Sequence, residues 1–417
     1  MESKNYSLKK ILRECTCPAC GYHVAVPFFD GQSQPLATVA WPDSADTAIN
    51  MQRFPLDFLR CIDCGHIYNG SFDYNNVPYS VKPNLMFNKG KIWSGFLDNI
   101  VKELASILEP GNTVIEIGYG DGLFLDRLAG LRPDVEFIGY DPHGVQANER
   151  SNTRFRHELF EPSEAIPEHK PALIISRHVL EHLNNPLGLI ESISFALTWC
   201  ESDSYIYLEV PCVDNALKNN RIIDFYYEHN SHFTTCSFNR MLECACVDVV
   251  WLEHGYGNEV IYALVKDGLN NNHARLADES NNFYSQSRLN IEAIRKQLES
   301  IADKKVAVWG GTGKGAAFMN IYGLDFRVFP IVIDSDPAKV GTYVPGTGQE
   351  ILNREYLKTN PVDIIIIPMQ WRAQDVVNEI HSHDINYSTI LIEYHGQLID
   401  FFNDSHPYRI NDIPGKK

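Results

Sequence analysis

The chain has 417 residues, enough for two or three domains with ample apolar core. Its 53 acidic against 36 basic side chains leave a net charge of −17, which argues against general nucleic-acid or anionic-membrane binding. A nucleotide-sized anion remains compatible, because one local cluster of donors suffices for it.

No apolar run approaches the length of a membrane span, and the opening MESKNYSLKKILRE lacks the apolar core and cleavage site of a signal peptide. Ten cysteines in so long a chain suit a reducing cytoplasm and a metal site better than a disulfide scaffold. Cys17-Pro-Ala-Cys20-Gly21 and Cys61-Ile-Asp-Cys64-Gly65 are two CxxCG turns. In each the glycine permits the bend that aims both sulfurs at one ion. Four such thiolates predict a closed, structural zinc site, with strands in the insert 24–57 above it. Cys15, His23 and His66 lie near enough to compete as ligands. Cys200, Cys212, Cys236, Cys244 and Cys246 read as buried thiols.

The segment 74–80 precedes an amphipathic stretch at 87–108 that predicts a helix. Strand-like runs follow at 113–118, 135–140, 172–176, 204–210 and 259–265, alternating with helical patterns, which predicts a mostly parallel sheet covered on both faces. The first of these runs into Glu116-Ile117-Gly118-Tyr119-Gly120-Asp121-Gly122, a strand, tight turn and helix start. Its glycine spacing is ExGxGxG rather than the dinucleotide GxGxxG. It resembles the S-adenosylmethionine (SAM) loop of class I methyltransferases. In that comparison Glu116 faces the amino end of SAM, and Gly118, Gly120 and Asp121 form the loop. Asp141, at the end of the next strand, takes the ribose hydroxyls. A glycine-rich turn of some other doubly wound domain is the plain alternative. Glu161 and Glu164 are candidates for the adenine end, with surface solvation as the ordinary reading.

Asn, Ser and charge over 267–287 read as a linker, and a helix at 288–302 leads into a second αβ unit. Its strands are KKVAVWG, VFPIVID, VDIIIIP and STILIEY. It opens with Gly310-Gly311-Thr312-Gly313-Lys314-Gly315, which lacks Walker spacing and matches a dinucleotide turn only weakly, with Asp334 in the ribose position. A phosphate-cradling or purely structural turn is at least as good a reading.

Taken in order, the two CxxCG turns, EIGYGDG, Val179-Leu180-Glu181-His182, the box 226–233 (YYEHNSHF), VAVWGGTGKG and VIDSDPAKVGTYVPGT resemble the sugar C-methyltransferases over nearly the whole chain. That resemblance implies an α/β fold of three parts: a small zinc-binding domain over 1–80, a class I SAM-methyltransferase Rossmann-like domain over 81–268, and a second Rossmann-like domain over 269–417. It implies SAM and structural zinc as cofactors, and a nucleotide-linked ketosugar, methylated on a carbon beside its ketone, as substrate. Neither nucleic acid nor membrane is an expected partner. The oligomeric state stays open, a monomer being compatible.

Such chemistry needs a base for a weakly acidic C–H and a donor for the developing oxyanion. By resemblance Tyr226 or His229 is the base, and Glu228 orients its neighbour or binds a sugar hydroxyl. His182 donates to the carbonyl oxygen, and Tyr79 closes the pocket. Arg177 joins the cofactor-binding set and, with Lys82, Lys89 and Arg221, is a candidate donor to the diphosphate. A packed aromatic lid is the ordinary alternative for 225–233. Tyr227 and His232 depart from the family's YHEHxSYF box, and 254–259 departs from its HGGSLR-like strand, which weakens the substrate rather than the fold. Methylation of oxygen or nitrogen on another small molecule, a SAM-binding scaffold without catalysis, and a nicotinamide oxidoreductase are the competing functions.

Overall fold

Alternation of buried and exposed residues along 54–61 (Phe54, Leu56 and Phe58 in, Pro55 and Asp57 out) is what a strand with one apolar face requires. In the computed structural model, which describes residues 12–39, 41–78, 90–145, 150–268 and 271–409 and the backbone alone for 271–274, that segment is the middle of an antiparallel sheet. Its strands β1 (Arg13–Glu14), β2 (Val24–Gln34), β3 (Phe54–Cys61) and β4 (Ile67–Asn69) are joined by β10 (Ser231–His232), which pairs Ser231 with Tyr68 and His232 with Ile67. The CxxCG segments flank β2 and β3, and strands fill much of the insert between them, as the sequence predicts.

The second sheet is built on β5 (Thr113–Ile117), β6 (Glu136–Tyr140), β7 (Thr153–Arg156), β8 (Leu173–Arg177) and β9 (Tyr205–Pro211), all parallel. An antiparallel pair, β11 (Val247–Gly255) and β12 (Val260–Asp267), completes the order β11-β12-β9-β8-β5-β6-β7. The short β7 and the largely exposed β11 are absent from the sequence reading; β7 (TRFR) carries no apolar run, and the apolar run Val249–Leu252 of β11 is passed over there. From β5 the chain builds outward through β6 and β7, then returns to β8, so the topological switch point lies between β5 and β8. Helix Lys91–Ser106 buries Trp93, Leu97, Ile100, Val101 and Leu104, the spacing of a single helical face.

These two sheets belong to one compact unit, Met1–Arg275; the second unit is Leu276–Lys417. The exchange of β10 into the N-terminal sheet ties residues before 80 to the chain around 225–233. A 30-residue helix, Asn271–Ser300, stands where a linker is expected. Residues 275–289 of it are largely exposed, which explains their polar composition, while Ile294 and Leu298 anchor its end in the core of the second unit. That unit carries β13 (Val306–Trp309), β14 (Ile331–Ile333), β15 (Ile351–Leu352), β16 (Ile364–Ile367), β17 (Thr389–Tyr394) and β18 (Gln397–Asp400) in the order β15-β14-β13-β16-β17-β18. Only β18 runs antiparallel. The fold class is thus α/β with Rossmann-like sheets in both units.

Candidate functional site

The chain leaves β5 through Gly118, Gly120 and Gly122, whose φ values of +73°, +57° and +71° favour glycine. A Cβ on Gly118 would lie 2.4 Å from Val179 Cγ2, so the turn fits only with hydrogen at that position. The Gly118 amide donates to Tyr140 O (2.7 Å) and the Gly120 amide to Asp141 Oδ2 (3.0 Å). Asp141 Oδ1 accepts from the His143 amide (2.8 Å), and each carboxylate oxygen retains further acceptor capacity toward a ligand hydroxyl. Asp121 accepts from the Leu123 amide (3.1 Å), so it shapes the helix start. At the switch point a cavity of about 260 Å³ is lined by Gly118, Gly120, Asp141, Leu159, Phe160, His178 and His182, with Tyr74 on its rim. Its wall near Asp141 is apolar, as a nucleobase requires, whereas Glu161 and Glu164 are exposed on the surface.

Glu116 is buried, with Oε2 lacking a hydrogen-bond partner among the described residues. Burial pushes its pKa up to about 8; the Arg177 charge opposes the shift, while Asp121, Glu209 and Asp141 add to it. An orphaned buried carboxyl beside a glycine turn fits a cationic ligand group such as the ammonium of SAM. Arg177 Nη2 donates to Glu209 Oε1 (2.8 Å) and its guanidinium lies 4.0 Å over the Phe124 ring, while its buried Nε has no hydrogen-bond partner among the described residues. Like Glu116, it is not among the residues lining the cavity, and the carboxylate it pairs with is Glu209.

His178, which precedes the VLEH segment, and Glu181, inside it, are the residues to which sequence reasoning gives no role. His178 has φ +53°, lines the cavity, and places Nδ1 3.3 Å from Glu181 Oε1 and Nε2 3.0 Å from Glu209 Oε1. Burial alone would depress its pKa, but the two carboxylates raise it to about 9, which favours the imidazolium. The histidine–carboxylate spacing i, i+3 was the available signal. Nothing in the sequence pointed to Glu209 as the second partner.

The box 226–233 folds between the N-terminal sheet and this cavity. Phe225 and Tyr227 pack into the aromatic cluster with Phe28, Phe54, Phe58 and Phe72. Tyr226 lies instead against His229, Oη to Nε2 2.8 Å, and the His229 ring meets His182 edge-on at 4.8 Å. His182 Nδ1 sits 2.7 Å from the Glu228 carbonyl. A carbonyl only accepts, so Nδ1 carries the proton, and the lone pair of neutral His182 is on Nε2. That tautomer suits a proton acceptor. The donor role expected from the sequence would require the imidazolium.

Burial and the neighbouring His182, His232 and His178 hold His229 well below the usual imidazole range. Burial, with the charges of Glu181, Glu228 and Asp224, lifts the Tyr226 phenol. Glu228 is fully buried, and its Oε1 accepts from the amides of Ala37 and Thr38 (2.7 Å each) and from Val39 (3.3 Å). The carboxylate therefore anchors the 37–39 loop, and its expected role on a sugar hydroxyl is not supported by this geometry. Tyr79, with Lys82 and Lys89, lies outside the described residues. Arg221 is paired with Asp224 (2.7 Å) and Glu259 (2.5 Å).

The departures from the family box are structural. Tyr227 Oη accepts from the Asp73 amide and from Asn76 Nδ2, both at 3.0 Å, fixing the turn that carries Tyr74. His232 is buried against Phe58 and Phe225, with Nε2 3.0 Å from Asp224 O. Neither residue lines the cavity; Tyr227 acts by packing, and His232 reaches the site only through its effect on the His229 imidazole. His254 is bound to Thr235 Oγ1 (2.8 Å), and Tyr256 packs on Trp93.

The four cysteines of the CxxCG turns converge. Sγ of Cys17 and Cys64 are 3.7 Å apart, as are those of Cys20 and Cys61, and all four lie within 4.8 Å of one another. A tetrahedron with 2.3 Å Zn–S bonds has an edge of about 3.8 Å. Gly21 and Gly65 take φ +71° and +76° behind the pairs. Of the remaining thiols only Cys212 is buried. Cys200 and Cys244 are half-buried and Cys236 and Cys246 exposed, because the first turn of a helix and a loop carry the last two outward.

Residues 92–245 match the methyltransferase-domain family, and residues 258–411 match the C-methyltransferase C-terminal domain. C-methyltransferase NovU of Streptomyces niveus is 24% identical over 403 residues, covering 87% of this chain and 91% of NovU. Among solved structures, a SAM-dependent methyltransferase from Aquifex aeolicus is 14% identical, with a TM-score of 0.32 over 44% of this chain and all of that one. The N-methyltransferase NodS from Bradyrhizobium japonicum WM9 is 14% identical, with a TM-score of 0.31 over the same two shares.

Proposed function

We propose that the chain, a SAM-dependent methyltransferase, is a C-methyltransferase that methylates a carbon beside the ketone of a nucleotide-linked sugar. The observation that carries this reading is the grouping of His182, His229 and Tyr226 beside the cavity at the switch point. Bound SAM supplies an electrophilic methyl group. Glu116, the turn Gly118–Gly120 and Asp141 are its proposed cradle, orienting it against the wall formed by Leu159 and Phe160. The Nε2 lone pair of His182, or His229 with Tyr226, takes the proton from the substrate carbon. Where Tyr226 Oη accepts from His229 Nε2–H, its own O–H is the donor to the enolate oxygen. Tyr74 on the rim excludes water from the carbanion.

Proton NMR in deuterated water on a panel of nucleotide 4-ketosugars tests the reading. Enzyme-dependent loss of a proton beside the ketone, and a new carbon-bound methyl when SAM is added, are the expected outcomes. Methyl transfer to oxygen or nitrogen without exchange would refute it.

We further propose that Cys17, Cys20, Cys61 and Cys64 hold a structural zinc in a cytoplasmic protein. Cys61→Ser should lose the metal and unfold the N-terminal sheet, since structural zinc supplies on the order of 10 kcal/mol. A metal-free variant with unchanged thermal unfolding would count against it.

A further inference from the structure

Glu181 belongs to the short turn Leu180–His182 that follows β8, and only 1% of it is exposed. One carboxylate oxygen pairs with His178 at 3.3 Å; the other, Oε2, is buried and has no hydrogen-bond partner among the described residues. A buried unsatisfied carboxylate oxygen is costly and calls for an explanation. Its surroundings supply one. A Glu181 oxygen and ring nitrogens of His182 and His229 all lie within 4.8 Å of one another.

The charges around it are close to balanced at rest. Arg177 and His178 are the cations, and Glu209 and Glu181 the carboxylates that face them. From the chain segment on the other side come Tyr226, His229, His232 and Asp224, with the Glu228 carboxylate turned toward the 37–39 loop. The His229 imidazole resists protonation, because burial and neighbouring histidines oppose a second positive charge. A base that must become a cation during turnover therefore needs a nearby anion not already saturated by hydrogen bonds.

We propose that Glu181 is the positioning carboxylate of the proton-transfer step, stabilising the imidazolium that forms when His182 or His229 takes the substrate's proton. The inference rests on the proton abstraction proposed above. In that step the C–H bond breaks, its electron pair enters the ketone as an enolate, and the proton moves to the imidazole nitrogen. The enolate carbon then forms the new C–C bond as the methyl–sulfur bond breaks, leaving its pair on sulfur. Glu181 itself touches no reacting atom. It acts through the histidines, as the buried carboxylate of a Ser-His-Asp triad acts through its imidazole.

The test needs no substrate. In the full-length protein, NMR titration of the His182 and His229 imidazoles is compared among wild type, Glu181→Gln and Glu181→Asp, with SAM affinity measured alongside as a check on folding. Loss of the charge in the Gln variant should lower the pKa of at least one of the two rings by about one unit, tenfold in proton affinity. The Asp variant, which keeps the charge, should recover most of that shift. Unchanged titrations in Glu181→Gln would overturn the proposal. So would an Asp variant shifted as far as the Gln variant, because that pattern indicates packing rather than charge.

With an active ketosugar in hand, Glu181→Gln should lower kcat by about 100-fold while leaving SAM affinity unchanged. Imidazole shifts as expected, together with no proton exchange on any ketosugar by the wild type, would retain the electrostatic coupling and reject the substrate reading instead.

Discussion

The two glycine turns of this chain share a scheme of hydrogen bonds and differ in what surrounds it. Gly118 and Gly310 each donate to the carbonyl ending the neighbouring strand, Tyr140 O and Ile333 O, at 2.7 Å. In each case an aspartate after that strand accepts from the turn: Gly120 to Asp141 Oδ2 and Gly311 to Asp334 Oδ2, both 3.0 Å. Each aspartate also closes on the amide two residues ahead, His143 and Asp336.

The likeness ends there. The strand before the first turn carries buried Glu116, while the matching position before the second is Val308. Asp141 faces a cavity, whereas Asp334 is 9% exposed and has Lys339 at 3.5 Å. Side-chain atoms of Ile351 crowd the space beside Gly311. A strand–glycine–helix turn with a distal aspartate is thus a way of closing a Rossmann-like crossover. Ligand capacity is added by a strand carboxylate and an open cavity, and the first turn alone has both.

Substitution of the glycines breaks this comparison most strongly. Gly118→Ala combines a left-handed φ with a 2.4 Å clash against Val179, and should weaken SAM binding roughly hundredfold by calorimetry. Gly311→Ala meets Ile351 Cδ1 at 2.4 Å and should cost about 1–3 kcal/mol of stability in the second unit while leaving SAM affinity unchanged. Equal loss of SAM affinity in both variants would erase the distinction.

Glu116 sharpens it through pH. Its folded pKa of about 8 lies above the unfolded carboxyl's usual value of about 4.3, so the folded chain holds an extra proton between them. Its contribution to stability therefore falls as pH rises through that window and levels off above about 8. Glu116→Gln should flatten this component in urea titrations at several pH values, and the same variant should remove any proton release on SAM binding. Identical pH slopes in the two proteins would show that Glu116 is ionised in the folded chain. The smallest effect belongs to Lys339→Ala. The lysine is half-exposed, so its loss should change stability by no more than about 0.5–1 kcal/mol in thermal melts. A larger cost would give the second turn an electrostatic dependence that this geometry does not provide.

Much of the site's scaffold was legible before any coordinates. Glycine spacing, a carboxylate in the preceding strand and an aspartate about 20 residues later are local consequences of one turn, so the sequence carries them directly. The pairs of cysteines are legible for the same reason. Tyr226 and His229 could be named as a group because three residues separate them, but not the tautomer of His182, which depends on the Glu228 carbonyl 46 residues away. Tyr227 and His232 read in the sequence as departures bearing on substrate; in the fold Tyr227 packs on Phe54 and Phe72, and His232, in β10, on Phe58 and Phe225.

What the sequence by itself determined is the order of the strands and turns and the chemistry available at each turn, since these follow from periodicity and backbone constraint within a few residues. Only the tertiary structure decided which charges meet. Glu228 went to the 37–39 amides and Arg177 to Glu209, while Glu181 was left facing two histidines. These pairings join strands and loops distant in the chain, and burial makes each of them obligatory once the sheets have closed.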